Sequence, residues 1–423
     1  MIRAMPKTYK FLTEELNSFD FTMHGQSGDN TLPNMLPLLS AYTHNEVNKW
    51  WDSKHPQDVF ELIWRDFERA GYRTLYSEDD PKGGGFYWGG RNFIHPQTSY
   101  WNRPLELALV ESGFVRRNAF CFGPRSVSEY QLDYLVRFLD TFPSDPVSGM
   151  TMITAITHDE INNARMIDEH VLNFYKQLME KNHLKKSLVI FFSDHGSRWG
   201  KIRETYNGIV ESRNPFLVLT FPPWFLKKYP NISRTLDSNT RRLTSHADTR
   251  QMLLDLLYFG AETPTPPFRG SHGVSLFSEI STHRTCEEAS IPKAECLCGK
   301  NVERYLDHSA PEVPALANAL LAAIKRRSDP KNCQEYSLDK VIMVGLLAKA
   351  AKQKNSAQKV YSVRVKVRPG GAIFEGTVTA GTDDKETKVS DYIERLSKYK
   401  GEVECQPTSK EQIFCYCKGN KMK

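Results

Sequence analysis

Lys186-Ser-Leu-Val-Ile-Phe-Phe-Ser-Asp-His-Gly-Ser-Arg198 decides how this chain is read. A short apolar run, Leu188 to Phe192, lies between lysines on one side and polar residues with a glycine on the other, which predicts a buried strand of a parallel sheet. Ser193, Asp194, His195 and Gly196 then fall where that strand ends. In open α/β sheets ligands bind outside the carboxyl ends of the strands. An adjacent carboxylate and imidazole offer donors to a divalent ion such as zinc or manganese, and Gly196 lets the chain turn sharply after them. An Asp-His pair alone more often means a capping aspartate beside an ordinary surface histidine; the surrounding chain reverses that preference.

The chain has 423 residues, enough for one large α/β domain and a smaller one. Charged residues make up 25% and the hydrophobic class 40%, the balance of a globular rather than a disordered protein. A net charge of +6 is mild and no dense Lys/Arg tract stands out, which gives no reason to expect nucleic acid or a membrane surface as partner. The start, Met1-Ile-Arg-Ala-Met-Pro-Lys7, reads neither as a signal peptide nor as a membrane span, and no later apolar run is long enough to span a bilayer.

Taken in order, Pro6 to Leu16 reads as a short helix and Phe19 to Thr22 as a short strand. The loop His24-Gly-Gln-Ser-Gly-Asp-Asn30 precedes an apolar spacing that suits a helix starting at Thr31, where a hydroxyl would lie beside anion-favouring N–H groups or serve as an N-cap. Pro56 to Ala70 reads as a helix, Tyr72 to Tyr76 as a strand, and Ser77 to Pro104 as a long glycine- and aromatic-bearing loop, either a binding loop or a surface excursion. Ser126 to Phe142 predicts a helix, Thr151 to Ile156 a strand ending at Thr157-His158-Asp159, and Glu160 to Lys181 a long helix. Pro215 to Thr220 is a further strand and Ser245 to Phe259 a helix, with His246 at its start most simply a capping residue. Strands alternating with helices imply a mostly parallel sheet covered on both faces. Beyond Gly260, Thr263-Pro-Thr-Pro-Pro267 marks a loop or boundary, Pro311 to Arg327 a helix, and Tyr361 to Arg368 a half-exposed strand with Ala372 to Ala380 as its hairpin partner.

Cys121 stands apart, while Cys286, Cys296, Cys298, Cys333, Cys405, Cys415 and Cys417 crowd the last third. The Cys-x-Cys pairs 296/298 and 415/417 could be zinc ligands or disulfides. The single intervening residue favours disulfides, and so an oxidising compartment, with the sequon Asn231-Ile-Ser233 in weak agreement. Seven cysteines cannot all pair among themselves. Bonds are expected to link the 296/298 region to the 405–417 region.

Arg3-Ala-Met-Pro-Lys-Thr8, Gly28-Asp-Asn-Thr-Leu-Pro-Asn34, Thr157-His-Asp159, Ser193-Asp-His-Gly-Ser-Arg198 with Arg203, and Arg284-Thr-Cys286 with Cys296-Leu-Cys298 together resemble the nematode and insect family catalogued as domain of unknown function 229, within the alkaline-phosphatase-like or sulfatase superfamily. The resemblance implies an α/β fold with a mostly parallel sheet and helices on both faces over residues 1–283, plus a small Cys-rich α+β module over 284–423. It implies Thr31 as nucleophile, because sulfatases need a cysteine or serine there and a threonine resembles the phosphodiesterase and phosphotransferase branches. Asp194, His195 and Thr31 would hold a divalent metal, zinc or manganese with calcium as the alternative. His158 would contact substrate or leaving group, with Asn30, Arg198 and His246 as candidate neighbours. The implied substrate is a small or lipid- or glycan-linked phosphoester, or a sulfate ester, in the extracellular space or secretory lumen. Relatives carry an upstream strand ending in an acidic metal ligand that is not found in this sequence, so the chain as written is expected to be a poor enzyme or a non-catalytic binding protein on the same fold.

Overall fold

The computed structural model describes all residues except 48, 51–55, 87–92, 114–119, 199, 261–271, 299–301, 349–357, 381–386, 398–400, 407–408 and 420–423. The Thr263–Pro267 stretch and the aromatics Tyr87 and Trp88 lie outside the described residues. The chain forms two compact units, Met1–Ser197 with Val210–Glu295, and Arg198–Ile209 with Cys296–Lys423.

The first unit is mixed α/β. The elements that build its sheets and cores include, in order, α1 (Pro6–Lys10), β1 (Phe19–Asp20), β2 (His24–Gly25), α2 (Thr31–Leu39), α3 (Ile63–Arg69), β3 (Arg73–Glu78), β4 (Tyr100–Trp101), α4 (Val127–Thr141), β5 (Val147–Met152), α5 (Asp168–Glu180), β6 (Val189–Phe192), β7 (Leu217–Thr220), β8 (Thr244–Ser245) and α6 (His246–Leu257). Parallel pairing joins β4, β3 and β5 in one sheet and β2 with β8 in another. The periodic segments fold where their patterns place them: α2 starts at Thr31, and α4 covers all but the ends of 126–142. Other segments shift. The strand expected over Thr151–Ile156 runs from Val147 to Met152, because Gly149, where an added Cβ would come 2.7 Å from Leu135 of α4, brings strand and helix into close approach. The long helix expected from Glu160 begins as a 3-10 turn, Ile161–Ile167, and becomes α-helical at Asp168, whose carboxylate accepts the N–H groups of Lys7 and Thr8 in α1. The helix expected from Pro56 is confined to α3, since Phe60 and Leu62 are extended.

The run that opens the reading of the chain also departs from expectation. β6 is not in a parallel pair: it lies antiparallel to β7, and all four of its residues are only partly buried. The chain folds back just past the strand. The N–H of Ser193 donates to the Phe216 carbonyl at 3.0 Å, and that of Gly196 to the Ser212 carbonyl at 3.0 Å, so the chain re-enters at the end it left. β5 and β6 nevertheless share two cores. Met150, Met152 and Phe192 pack with α2 and α3, while Ile153, Val189 and Phe191 pack with α1, α4 and α5.

The second unit is a five-stranded antiparallel sheet, β9 (Val302–Tyr305), β10 (Ser337–Leu347), β11 (Lys359–Arg368), β12 (Ile373–Ala380) and β13 (Lys388–Arg395), with α7 (Val313–Arg327) packed on it. Tyr361, Val363, Val365 and Val367 alternate toward the core shared with α7, and β11 pairs with β12 as the sequence predicts. Segment 198–209 belongs to this unit, and in it the buried Arg203 guanidinium binds Glu394 of β13. Cys333 bonds Cys415 and Cys405 bonds Cys417, with Cα separations of 5.2 and 5.8 Å, so the sulfurs of the 405–417 region are consumed by these two bonds around the buried Cys333, Cys415 and Cys417. The expected bonds from this region to the 296/298 region do not form. Cys286 and Cys296 are in disulfides, while Cys298, expected to pair, is free and exposed, as is Cys121.

The Cys333–Cys415 bond closes a separation of 82 residues and Cys405–Cys417 one of 12. Loop-closure entropy assigns them about 4.5 and about 3 kcal/mol. Paired alanine replacement of Cys333 and Cys415 should therefore destabilise the second unit more than replacement of Cys405 and Cys417, read as urea midpoints of the two variants.

Candidate active site

Thr31 is the first residue of α2, and a buried asparagine holds the loop that delivers it. Asn34 Oδ1 accepts the N–H groups of Ser27 and Gly28 at 2.6 and 3.1 Å, and its Nδ2 donates to the carbonyls of Gly28 and Asn30 at 2.7 and 2.9 Å. The amide thus makes four hydrogen bonds, its full simple complement. Gly28 is held so close to Pro33 that an added Cβ would come within 2.5 Å of it. The result is a fixed helix start, where unpaired N–H groups favour negative charge.

The Thr31 hydroxyl is one of the polar neighbours that lower the pKa of the Asp194 carboxyl just past β6. Burial alone would raise the Asp194 carboxyl, but the neighbouring His195, the Thr31 hydroxyl, the His195 N–H and His246 together hold it below the usual carboxylate value. His195 Nδ1 donates to the Gly196 carbonyl at 2.7 Å, and its Nε2 lies 3.5 Å from Asp194 Oδ2. Gly196 tolerates no side chain, since a Cβ would come 2.0 Å from the Glu211 carbonyl.

His246 opens α6. Its ring is buried, centred 4.7 Å from His24 and 6.2 Å from Phe192, and neither nitrogen makes a hydrogen bond. Burial pushes its pKa down to about 4, against the pull of Asp194 and of the Ser193 and Gly25 carbonyls. The turn before it is held by the Ser245 N–H on Asp248, which also binds Arg284 through two N–H groups at 2.7 and 2.8 Å. His158 is exposed beyond the end of β5, its Nδ1 3.1 Å from Asp159. Asn30 is exposed and donates to Asp29, and Arg198 belongs to the second unit. Among the described residues, groups of three His, Cys, Asp or Glu donors within 4.8 Å consist only of cysteines, so Asp194 and His195 are not part of such a group.

Four residues near the site escape the sequence reading: Asn34, Glu78, Asp79 and Gly85. Glu78 and Asp79 end β3, and Leu75-Tyr-Ser-Glu-Asp-Asp80 carries the same signal, acid at a strand's carboxyl end, that singled out Asp194. Glu78 Oε2 accepts the Tyr76 hydroxyl and Oε1 the Gly85 N–H, both at 2.7 Å. Asp79 accepts the N–H groups of Thr154 and Ala155, and nearby Glu106 accepts from Asn102 and Gln131. Burial pushes these carboxyls up to about 8 for Glu78, about 7 for Glu106 and about 6 for Asp79.

The family described as protein of unknown function (DUF229) matches residues 1–342. The chain belongs to the DUF229 family. No curated protein sequence matches it. Among solved structures, this DUF229 chain is similar to the lipoteichoic acid synthase LtaP from Listeria monocytogenes (12% identity, TM-score 0.44, over 65% of this chain and 69% of that one). It is also similar to the PsFucS1 sulfatase from Pseudoalteromonas sp. (11%, 0.44, 66% and 67%) and to the phosphonate monoester hydrolase from Silicibacter pomeroyi (12%, 0.45, 86% and 84%).

Glu78 and Glu106 bind their protons more tightly in the folded DUF229 chain than in the unfolded one. The unfolded chain loses these protons near pH 4–5, so the stability they contribute is present below that range and is lost as pH rises through about 7 and 8. Between pH 6.5 and 8 the fold should lose about 2 kcal/mol from these groups. Urea melts at the two pH values measure this, and Glu78→Gln should flatten the dependence.

Proposed function

We propose that this chain is a metal-dependent phosphoester hydrolase or phosphotransferase of the alkaline-phosphatase-like superfamily, with Thr31 as nucleophile. The observation that carries the reading is the placement of the Thr31 hydroxyl, at the start of α2, as a neighbour of an Asp194 carboxylate that is kept ionised beside His195. The donor set suits a divalent ion: an ionised carboxylate, an imidazole and a hydroxyl. Asp194, His195 and Thr31 would hold that ion, which when bound supplies neutralisation of phosphoryl charge and a lower hydroxyl pKa.

The residues account for the remaining steps. The Thr31 hydroxyl, set beside the ionised Asp194, gives up its proton as it attacks, and a proton ends on the departing alcohol. Thr31 Oγ1 bonds to phosphorus as the ester oxygen departs with its alcohol, and water or an acceptor alcohol then takes the phosphoryl group and restores the hydroxyl. The N–H groups at the start of α2 favour the phosphoryl oxygens. The implied substrate is a small or lipid- or glycan-linked phosphoester. The disulfides support a secretory or extracellular setting, and no described helix is long and apolar enough to cross a membrane. His158, exposed beyond β5, would meet the leaving group. The catalytic domain would run over 1–283 and the Cys-rich module over 284–423.

A second reading, a non-catalytic binding protein, is favoured by the single carboxylate of the donor set, since metal affinity follows the number of deprotonated ligands. Turnover of bis(p-nitrophenyl) phosphate with added zinc or manganese separates the two. The first reading expects turnover that falls by roughly a thousandfold or more in Thr31→Ala, and metal affinity that falls at least about tenfold in Asp194→Asn. Metal binding without turnover would leave the second reading.

A further inference from the structure

We propose that Gly85 and Glu78 are positioning residues that set the side-chain rotamer of Thr31, a role that rests on Thr31 as nucleophile. Threonine carries a methyl and a hydroxyl on one Cβ, so fixing the methyl fixes the hydroxyl. The methyl is fixed by close approach of a backbone: a Cβ placed on Gly85 would come 2.4 Å from Thr31 Cγ2, with the Met152 methyl 3.8 Å away. The hydroxyl on the same Cβ is a neighbour of the Asp194 carboxylate.

Glu78 holds Gly85 in that position. Its Oε1 accepts the Gly85 N–H at 2.7 Å, while its Oε2 is anchored by the Tyr76 hydroxyl, whose ring packs 5.0 Å from Trp64 and 5.8 Å from Phe86. Gly84 leaves room for this carboxylate, since a Cβ there would come 1.9 Å from Glu78 Oε1. Two successive glycines are therefore required by two different neighbours, Gly84 by the carboxylate and Gly85 by the methyl. The buried Phe86 fixes the far side of the turn, its carbonyl accepting from Gln57 at 3.1 Å. A line of contacts thus runs from the end of β3 through Glu78 and Gly85 to the hydroxyl that faces Asp194. It gives the threonine a purpose that a serine could not serve, because serine has no methyl to hold.

Two measurements test the clamp. The first needs no activity. With threonine γ-methyls labelled in the full chain, the Thr31 resonance, assigned by its loss in Thr31→Ser, should have an order parameter near the rigid limit that drops in Glu78→Ala and is kept in Glu78→Gln. A Thr31 methyl that averages in the wild type like that of a surface threonine overturns the proposal. The second uses bis(p-nitrophenyl) phosphate with zinc. Gly85→Ala should lower kcat by about a hundredfold, because the new Cβ displaces the methyl. Gly85→Ala combined with Thr31→Ser should return to within about threefold of Thr31→Ser alone, since three staggered wells bound the dilution. A double variant as slow as Gly85→Ala, with an unchanged melting temperature, overturns the proposal. Should Thr31→Ala keep full turnover, the nucleophile reading falls, and the methyl resonance alone decides the clamp.

Discussion

The Thr31 hydroxyl, at the amino end of a helix, is a neighbour of the Asp194 carboxylate at the carboxyl end of a strand far along the chain. Each partner needs its own scaffold. Asn34 spends all four of its hydrogen bonds on the turn before Thr31. The backbone past Asp194 is pinned by Gly196 on Ser212. The partly desolvated carboxylate stays ionised because donors and an imidazole surround it, and that charge gives the pair its chemistry.

How far the sequence could be read follows from how local each signal is. The start of α2 at Thr31 and the extents of α4, α7 and β11 follow from capping and periodicity within a few residues. The motif around Asp194 was readable because an acid and a histidine directly follow an apolar run. The pairing of that run was not. An apolar run of five signals burial of its side chains but carries no information on strand direction, which here is set by the fold-back at Ser193–Gly196. Nor does it show that β5 and β6, packed against cores on two faces, would each have a single strand partner among the described residues and stay only partly buried. The same limit hid Glu78 and Asn34. A glutamate at a strand end and an asparagine inside a helix look ordinary until distant glycines and loop amides come to them. The cysteines show it again: spacing favoured disulfides, but which sulfurs meet depends on how β10 to β13 bring Cys333 to the carboxyl-terminal turn.

The acidic side chains at the end of β3 have a different role from Asp194. Glu78, Asp79 and Glu106 are buried and matched by donors, so at neutral pH burial keeps Glu78 largely protonated, and it serves as a rigid strut. Asp194 has comparable neighbours but faces a histidine and a hydroxyl, which hold the charge in place. Two carboxylates at the carboxyl ends of two strands are thereby assigned to support and to chemistry by their surroundings.

The excursion from Arg198 to Ile209 has a consequence for how this gene could be rearranged. The polypeptide passes between the two units at three points, after Ser197, after Ile209 and after Glu295. The carboxyl-terminal unit is thus not a cassette that recombination could exchange at one junction. A transplant ending at Glu295 would strand twelve residues that begin two positions after Gly196, with the buried Arg203 deprived of Glu394. In this chain no single junction separates the two units.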